Sequence, residues 1–431
     1  MAGTTNQKFV KQVIALTNKE RERFGLEPLE SKGRLNTAAQ THSRNMAQKD
    51  FYSHTGKDDS SCGDRIEKTG YKAETSGENI AAGQSTPKEV VEDWMDSSGH
   101  RSNILDPDYE DIGVGYYFRK NDPGYYRYHS YWTQNFATSD DGKDWWSKYQ
   151  NFEYGDEGND KLKGIKGKDY LRGYEGNDTI TGAAGDDYLH ASKGRDVVKG
   201  GSGNDEILGG DGFFCGIVQR RLDDEEDSGD KLYGEGGNDL IQGDGGKDYI
   251  DGGKGRDILW GGSGNDTVLG MIGNDAVSGG EGNDLLQGGK GNDFLWGDSG
   301  ADTLIGVHPK TARPGKGEQD VLTGGDDDYD WWKEQDGKDT FVLGDRRKVF
   351  YNDGKKNNAG KGDYALIRNF NTDEDIIQLH GKAKNYTLKN SPQGMPEGTA
   401  IFLDTAGKDE LIGIVADVSD LNIKADYFNF V

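Results

Sequence analysis

The sequence is short of several features that would assign it to a common class of protein. It contains only two cysteines among 431 residues. These residues, Cys62 and Cys215, lie far apart, so a framework of disulfide bonds is not expected. No apolar run approaches the length of a membrane-spanning helix, and residues 1–15 lack the hydrophobic region of a signal peptide. The sequence therefore predicts neither a disulfide scaffold nor a transmembrane protein.

Basic residues are also in deficit. The chain has 52 lysines and arginines against 77 aspartates and glutamates, which gives a net charge of −25. An acidic surface of this kind disfavours nucleic acid and anionic membranes as partners. We therefore expect no nucleic-acid partner.

Glycine, by contrast, is abundant, with 67 residues, and most of the excess lies in a nine-residue repeat that runs from residue 155 to residue 322. The unit at 200–208, Gly-Gly-Ser-Gly-Asn-Asp-Glu-Ile-Leu, has aspartate at its sixth position and a branched aliphatic residue at its eighth. The aspartates in this phase are Asp160, Asp169, Asp178, Asp187, Asp196, Asp205, Asp239, Asp248, Asp257, Asp266, Asp275, Asp284, Asp293, Asp302 and, two steps later, Asp320.

The eighth position is never polar, and this predicts how the repeat folds. Glycine at positions one and four allows positive φ, so that the chain can turn tightly. The residues after each aspartate form a very short strand with one inward side chain, and a stack of such strands buries an aliphatic core that no single unit could bury. The inward residues are Leu162, Leu171, Ile180, Leu189, Val198, Ile207, Ile241, Ile250, Leu259, Val268, Val277, Leu286, Leu295, Leu304 and Leu322.

The repeated aspartates predict a metal site. If two units make one coil, aspartates eighteen residues apart stack in a column, where their like charges repel. A hard divalent cation between coils removes the repulsion, and calcium accepts carboxylate and carbonyl oxygens in flexible geometry. We therefore predict calcium as the cofactor of the fourteen aspartates from Asp160 to Asp302. Asp363, Asp373 and Asp375 either add ligands or are solvated acids in turns.

The nonapeptide pattern resembles the RTX family of calcium-binding parallel β-rolls over about residues 155–325. The resemblance implies folding on calcium and export by a type I secretion system through an uncleaved C-terminal signal, for which residues 425–431 are the candidate. The repeat is interrupted by an insertion at 213–229. Residues 326–431 read as ordinary strands between turns and resemble the β-rich cap of cyanobacterial-type calcium-binding proteins.

The N-terminal residues 1–139 have a different pattern. Helical periodicity at 9–25, 36–49, 64–69 and 86–95 precedes two strand-like stretches, 112–119 and 126–138, joined as a hairpin. This order predicts an α+β sandwich. Several stretches resemble the CAP superfamily in its short bacterial SCP-like form, which implies an α-β-α sandwich, with residues 140–154 as the linker to the repeats. These stretches are 16–21, 51–54, 77–81, 94–105, 112–115 and 131–136.

The resemblance to CAP proteins implies a cleft with two histidines and two glutamates, and in some members of the family the histidine pair binds zinc or another divalent ion. The histidines correspond to His54 and His100 and the first glutamate to Glu78, whereas Ser97 stands where the second glutamate is usual. Two histidines and a carboxylate can bind a metal ion with open positions. The alternatives are hydrogen bonds that tie loops together, and metal-assisted hydrolysis. No nucleophile motif is present, so an enzyme is not favoured.

The whole sequence predicts a multidomain, secreted calcium-binding protein, free or attached to the cell surface. Its repeats would fold on extracellular calcium and display the CAP domain, whose partner would be an unknown extracellular ligand or surface polymer. The alternatives are a metal-dependent hydrolase in the CAP cleft and a structural component of a surface layer or matrix.

Overall fold

The computed structural model describes residues 2–139, 148–210, 229–325, 337–353, 362–406 and 408–431. They fall into two compact units, 2–139 and 148–431. Cys215, linker residues 140–147 and insertion residues 213–228 lie outside the described residues. No described helix is both long enough and apolar enough to cross a membrane.

The first unit is a sheet between helices. Its elements are α1 (Ala2–Arg23), β1 (Glu30–Ser31), α2 (Gly33–Lys49), α3 (Cys62–Glu67), β2 (Ala73–Ala82), α4 (Pro87–Asp96), α5 (Ser98–Leu105), β3 (Asp111–Phe118) and β4 (Ser130–Ser139). The strand order is β1-β3-β4-β2, with β3 and β2 antiparallel to β4.

Strand β3 shows why the sheet has a helix on each face. Gly113 and Gly115 lie against the backbone of α2, where a Cβ would come within 2.4 Å of its atoms. On the other face, Tyr116 packs against Phe9 of α1, with ring centroids 5.2 Å apart. Alternation of glycine with large side chains thus allows close helix packing on one face and fills the core on the other.

Two details differ from the sequence prediction. The second hairpin strand begins at Ser130, not Tyr126, because the carboxylate of Asp50 accepts hydrogen bonds from Tyr125 N and Tyr126 N at 2.8 and 3.0 Å and holds them in a loop. Strand β2, which the sequence did not predict, pairs with β4 along its length.

The second unit is a parallel-strand solenoid followed by a β-rich C-terminus. In chain order its strands are β5 (Asn151–Tyr154), β6 (Lys161–Lys163), β7 (Asp169–Glu175), β8 (Thr179–Ala184), β9 (Tyr188–Lys193), β10 (Val197–Ser202), β11 (Glu206–Leu208), β12 (Lys231–Gly236), β13 (Leu240–Gln242), β14 (Tyr249–Lys254), β15 (Ile258–Ser263), β16 (Thr267–Ile272), β17 (Ala276–Glu281), β18 (Leu285–Lys290), β19 (Phe294–Ser299), β20 (Thr303–Val307), β21 (Gln319–Thr323), β22 (Thr340–Val342), β23 (Tyr364–Arg368), β24 (Ile376–Leu379), β25 (Tyr386–Asn390), β26 (Gly398–Leu403), β27 (Glu410–Ala416) and β28 (Phe428–Phe430).

Successive strands alternate between two sheets. Even-numbered strands from β6 to β24 and then β28 form one sheet, and odd-numbered strands from β5 to β23 followed by β25–β27 form the other. Val197 pairs with Thr179, eighteen residues earlier, in parallel register, so two units make one coil, as predicted. Strand β10 pairs with β12 across the insertion, so the pairing of coils continues there.

The predicted inward residues form the core of the solenoid. Every eighth-position aliphatic residue from Leu171 to Leu322 is fully buried, and Leu162 in the first coil is 8% exposed. The same core continues into the C-terminal region through Phe341, Ile367 and Ile377. Strands β22, β23, β24, β27 and β28 pair in parallel with the preceding strands, while β25 and β26 are antiparallel. The β-rich C-terminus therefore extends both sheets.

The role predicted for the first glycine of each unit is wrong. Positive φ occurs at positions two and four, as at Gly201 (118°) and Gly203 (134°), and not at Gly200. At Gly200 the reason for glycine is space, since a Cβ would lie 2.3 Å from Asp205 Oδ2, although position one holds alanine at Ala191. The glycine thus makes room for a carboxylate.

Candidate calcium columns and the N-terminal cleft

The repeat aspartates form two columns linked by hydrogen bonds. In each column, the backbone N–H of one aspartate donates to Oδ1 of the aspartate one coil further on, as from Asp178 to Asp196 (2.6 Å) and from Asp266 to Asp284 (2.7 Å). The other column repeats the contact, as from Asp187 to Asp205 at 2.9 Å. One oxygen of each carboxylate is thereby fixed to the backbone of its neighbour.

The second carboxylate oxygen has a different environment. At most predicted positions Oδ2 is buried and accepts no hydrogen bond from any described residue. These positions are Asp178, Asp187, Asp196, Asp205, Asp239, Asp257, Asp266, Asp275, Asp284, Asp293 and Asp302. A buried polar atom without a partner costs free energy, so such a repeated series calls for a ligand.

The oxygens around this position suit calcium. A Cβ placed on Gly182 would lie 2.3 Å from Asp187 Oδ2 and 2.6 Å from the carbonyl oxygen of Gly200 in the next coil. A carboxylate and a carbonyl oxygen therefore both face the space above the glycine, and these are the ligand types that calcium accepts. The residues present fit calcium, with the aspartates supplying charge and the turns supplying carbonyls.

Burial is the main electrostatic problem of the columns. It raises the pKa of Asp187 to about 6, of Asp196 to about 7, of Asp205 to about 8 and of Asp302 to about 9. Charges of neighbouring aspartates raise the pKa further, but less than burial does. The prediction from like-charge repulsion is therefore correct in direction, while desolvation is the larger cause.

The ends of the columns differ from the middle. Oδ2 of Asp160 and of Asp169 accepts hydrogen bonds from the N–H groups of Asp156 and Ile165. At the other end, the hydroxyl of Tyr351 donates to Asp320 Oδ2 at 2.6 Å. Protein donors thus occupy the position that is without a hydrogen-bond partner in the middle coils.

The columns also extend beyond the predicted ligands. Asp230 lies between Asp196 and Asp248, and Asp339 and Asp375 continue the column after Asp302. Asp339 was not predicted because 37 residues separate it from Asp302, although the apolar residue two positions after it was a usable signal. Asp375, already a candidate ligand from the sequence, follows after a further 36 residues. Asp363 and Asp375 are buried, so solvation in turns is the wrong description for them.

A ladder of asparagines parallels the aspartates and was not predicted. At position five, the side-chain Oδ1 accepts from the backbone N–H one coil later, as from Asn177 to Asn159 (2.8 Å) and from Asn283 to Asn265 (2.7 Å). The frequent asparagine before the column aspartate was the available signal. The ladder satisfies turn N–H groups that no strand partner reaches.

Glu78 is the centre of the N-terminal cleft. Its buried carboxylate accepts from Arg65 Nη2 at 2.8 and 2.6 Å, and His54 Nδ1 lies 3.1 Å from Oε1. Burial alone would raise the pKa of Glu78, but the hydrogen bond with His54 and the charges of His42 and Arg65 lower it instead. Glu78 is therefore an ionised carboxylate in a charge pair. Arg65 was not predicted, because nothing in the sequence links it to Glu78.

The predicted cleft residues do not form a metal centre. Asn79 Nδ2 donates to the carbonyl oxygen of His100 at 3.0 Å, which ties helix α5 to strand β2. Among the described residues, only one set of three histidine, cysteine or acidic side chains brings ligand atoms within 4.8 Å of one another, and it does not include His54, Glu78 or His100. The described geometry therefore does not fit zinc. It supports the alternative of loops tied by hydrogen bonds.

The set that does converge is Asp353, Asp363 and Glu410, all of them buried. Burial, together with the smaller effect of the charges of Asp353 and Asp363, raises the pKa of Glu410 to about 7. Asp363 was a candidate ligand from the sequence, but no motif links it to Asp353 or Glu410, because 46 or more residues separate Glu410 from the other two.

Comparison with protein families is consistent with this division of the chain. The family model of the cysteine-rich secretory protein (CAP) family matches residues 14–136. The model of the RTX calcium-binding nonapeptide repeat matches 154–189, 181–213, 227–259, 243–277, 252–286 and 278–306. The chain carries a CAP domain followed by RTX repeats.

Several relatives match about a quarter to a third of the chain. The chain is 44% identical over 108 residues to the uncharacterized protein YkwD of Bacillus subtilis, covering 25% of this chain and 42% of that protein. It is 37% identical over 105 residues to the uncharacterized membrane protein YlbC of the same species, covering 24% and 30%. An extracellular SCP-domain protein of Bacillus anthracis is 29% identical, with a TM-score of 0.27, and covers 31% of this chain and 41% of that one. The chain thus spans less than half the length of these relatives.

Within the CAP domain, the cleft is built on three elements. Strand β2 supplies Glu78, helix α3 supplies Arg65, and the loop after α2 supplies His54. Within the RTX repeats, the aspartate columns lie where the coils turn. The two candidate sites therefore belong to different units of the chain.

Proposed function

We propose that this chain is a secreted calcium-binding protein whose RTX repeats fold when calcium binds and display the CAP domain as an extracellular binding module. The observation that carries the proposal is the series of buried aspartate oxygens that accept no hydrogen bond from a described residue, as at Asp187 and Asp266. At these two positions, Oδ2 and a carbonyl oxygen of the next coil lie beside the same glycine.

The physical consequence is coupled folding. Buried carboxylates oppose folding while they are ionised and unliganded. Calcium binds them only in the folded coils, so its binding free energy becomes folding free energy. Extracellular calcium modules bind at about 10⁻⁴ to 10⁻³ M, so the repeats would stay unfolded in the cytosol and fold outside the cell. Export through a type I system, with residues 425–431 as its signal, is part of this proposal.

We further propose division of the chain into a CAP domain (1–139), a linker (140–154), the calcium-binding solenoid (155–325) and a β-rich cap (326–431). For the CAP domain, binding is favoured over hydrolysis. Arg65 holds both oxygens of Glu78, so this carboxylate is poorly placed to act as a base or a metal ligand.

The test is a calcium titration of the full chain, followed by far-UV circular dichroism and equilibrium dialysis. Strand signal should rise as calcium binds. Asp266→Asn keeps the Oδ1 acceptor but removes one column charge, and should shift the midpoint to about threefold or more higher calcium. Asp373→Asn, an exposed acid outside the columns, is the matched control. Full strand signal in chelator, or no bound calcium, would refute the proposal.

A further inference from the structure

The CAP domain presents a cluster of tyrosine rings, three on the loop between β3 and β4 and one, Tyr52, on the loop after α2. We call Tyr52, Tyr125, Tyr126 and Tyr128 the tyrosine platform. The rings of Tyr126 and Tyr128 stack with centroids 6.0 Å apart, Tyr125 contacts Tyr126 at 5.1 Å, and Tyr52 contacts Tyr128 at 5.8 Å. Tyr125 is 82% exposed and Tyr128 is 41% exposed. Large exposed aromatic surface of this kind marks an interaction site.

The loop that carries the platform is held in place by two aspartates. Asp50 accepts from the N–H groups of Tyr125 and Tyr126. Asp122, which is buried, accepts from Tyr131 Oη at 2.6 Å and from His129 N at 3.2 Å. Gly124 is required here, because a Cβ would lie 2.0 Å from Asp50 Oδ1. A preorganised surface binds with a smaller loss of conformational entropy.

The charge around the platform has the opposite sign to that of the chain. The ionisable side chains of residues 118–129 include Arg119, Lys120 and Arg127 against one acid, Asp122, which is buried and hydrogen-bonded. Asp50 adds a second carboxylate beside the loop, so cationic groups remain in excess. The chain as a whole has a net charge of −25. A local cationic surface on an acidic protein indicates an anionic ligand.

We propose that the tyrosine platform binds an anionic polysaccharide. Exposed tyrosine rings offer flat apolar faces to pyranose rings and polar hydroxyls at their edges. Lys120 and Arg127 would pair with carboxylate or sulfate groups of the polymer. An anionic membrane fits less well, because residues 119–129 contain no tryptophan and no aliphatic side chain that could enter the acyl region.

The platform borders the cleft of the same domain. Tyr52 Oη donates to the carbonyl oxygen of Ile80 at 3.2 Å, on strand β2 two residues after Glu78. His54, the partner of Glu78, follows Tyr52 by two residues. This inference rests on the proposed role of the CAP domain as a binding module, and it gives that module a surface and a class of ligand.

The experiment is affinity electrophoresis of the calcium-loaded full chain through gels that contain chondroitin sulfate, with dextran gels as the neutral reference. The wild-type protein should be retarded by chondroitin sulfate only. Tyr125→Ala should weaken binding about tenfold, and Tyr125→Phe, which keeps the ring, should restore it. Lys120→Ala should weaken binding about threefold and reduce its salt dependence. All variants are compared at one calcium concentration, so that any bridging of protein and polysaccharide by calcium ions affects them equally.

The matched controls remove the same residue types from other exposed places, with Tyr154→Ala on the solenoid and Lys11→Ala on α1. If Tyr125→Ala and Lys120→Ala bind no more weakly than these controls, the inference is overturned. Retention by phosphatidylglycerol vesicles but not by chondroitin sulfate would overturn it in favour of a membrane. Calcium-dependent strand signal is recorded on the same samples. Its presence without polysaccharide binding overturns this inference alone, and its absence overturns the proposed function.

Discussion

Position two of the repeat unit holds the left-handed backbone of each turn, and several residues there are not glycine. Glu235 has φ of 70°, Met271 of 76° and Asp298 of 66°. Side chains rarely adopt this conformation, which costs about 1–2 kcal/mol per residue. These positions therefore carry local strain that the rest of the coil compensates.

Met271→Gly should stabilise the calcium-loaded solenoid by about 0.5–1 kcal/mol, because glycine adopts positive φ without this strain. The greater conformational entropy of glycine in the unfolded chain offsets only part of the gain. The measurement is the thermal unfolding midpoint in saturating calcium. Gly253→Ala is the reciprocal change at the same unit position, and its Cβ would lie 2.4 Å from Glu235 O. It should destabilise by about 1–3 kcal/mol. A lower midpoint for Met271→Gly would contradict this account.

At the scale of the element, each strand of the solenoid is too short to be stable alone. Strand β18 has Leu285 at position seven, 40% exposed, and Leu286 at position eight, fully buried. Successive side chains point to opposite faces of a strand, so the two neighbours differ in environment and not in chemistry. The stability of β18 comes from one buried side chain and from pairing with β16 and β20.

Leu286→Ala should cost about 2–5 kcal/mol, because it removes buried apolar atoms and leaves a cavity between coils. Leu285→Ala changes the same residue type one position away and should alter stability by less than about 0.5 kcal/mol. Urea unfolding in saturating calcium measures both. Equal effects of the two changes would mean that the inward position is not what holds the strand.

At the scale of the whole molecule, the columns make the metal-free solenoid sensitive to pH. Burial raises the pKa of Asp266 to about 6, of Asp284 to about 7 and of Asp239 to about 8, whereas the unfolded chain has a value near 3.8. The folded state therefore binds more protons over this interval. Without calcium, its stability falls as pH rises from the unfolded value through the folded values.

In chelator, strand signal should therefore increase as pH is lowered from about 8 to about 5.5, since protons neutralise the buried carboxylates in place of calcium. In saturating calcium the signal should stay nearly constant over the same range. Circular dichroism of the full chain against pH measures both series. Loss of strand signal on acidification in chelator would show that column charge does not limit folding.

The periodic features were predictable because a repeat multiplies the signal of each position. An aliphatic residue two places after each aspartate, as at Asp266 and Val268, specified the strand, its inward side and the pairing of units eighteen residues apart. Strand β2 was missed because Glu78 to Ala81 are buried on both faces, so it lacks the polar alternation typical of a half-buried strand.

The aperiodic features required the folded chain. Nothing in the sequence connects Arg65 to Glu78, and only packing of α3 against β2 brings the guanidinium within 2.6 Å of the carboxylate. The same holds for Asp353, Asp363 and Glu410, which come from separate segments of the chain.

The sequence by itself determined the two-part architecture, the aliphatic core and the aspartates of the columns, because periodicity and motif order are local properties of the chain. Tertiary structure decided which carboxylate oxygen is left without a hydrogen bond, why position one is usually glycine, and that the buried glutamate of the cleft is paired with an arginine. These depend on distances between residues far apart in the chain, and only the packed coils and helices set those distances.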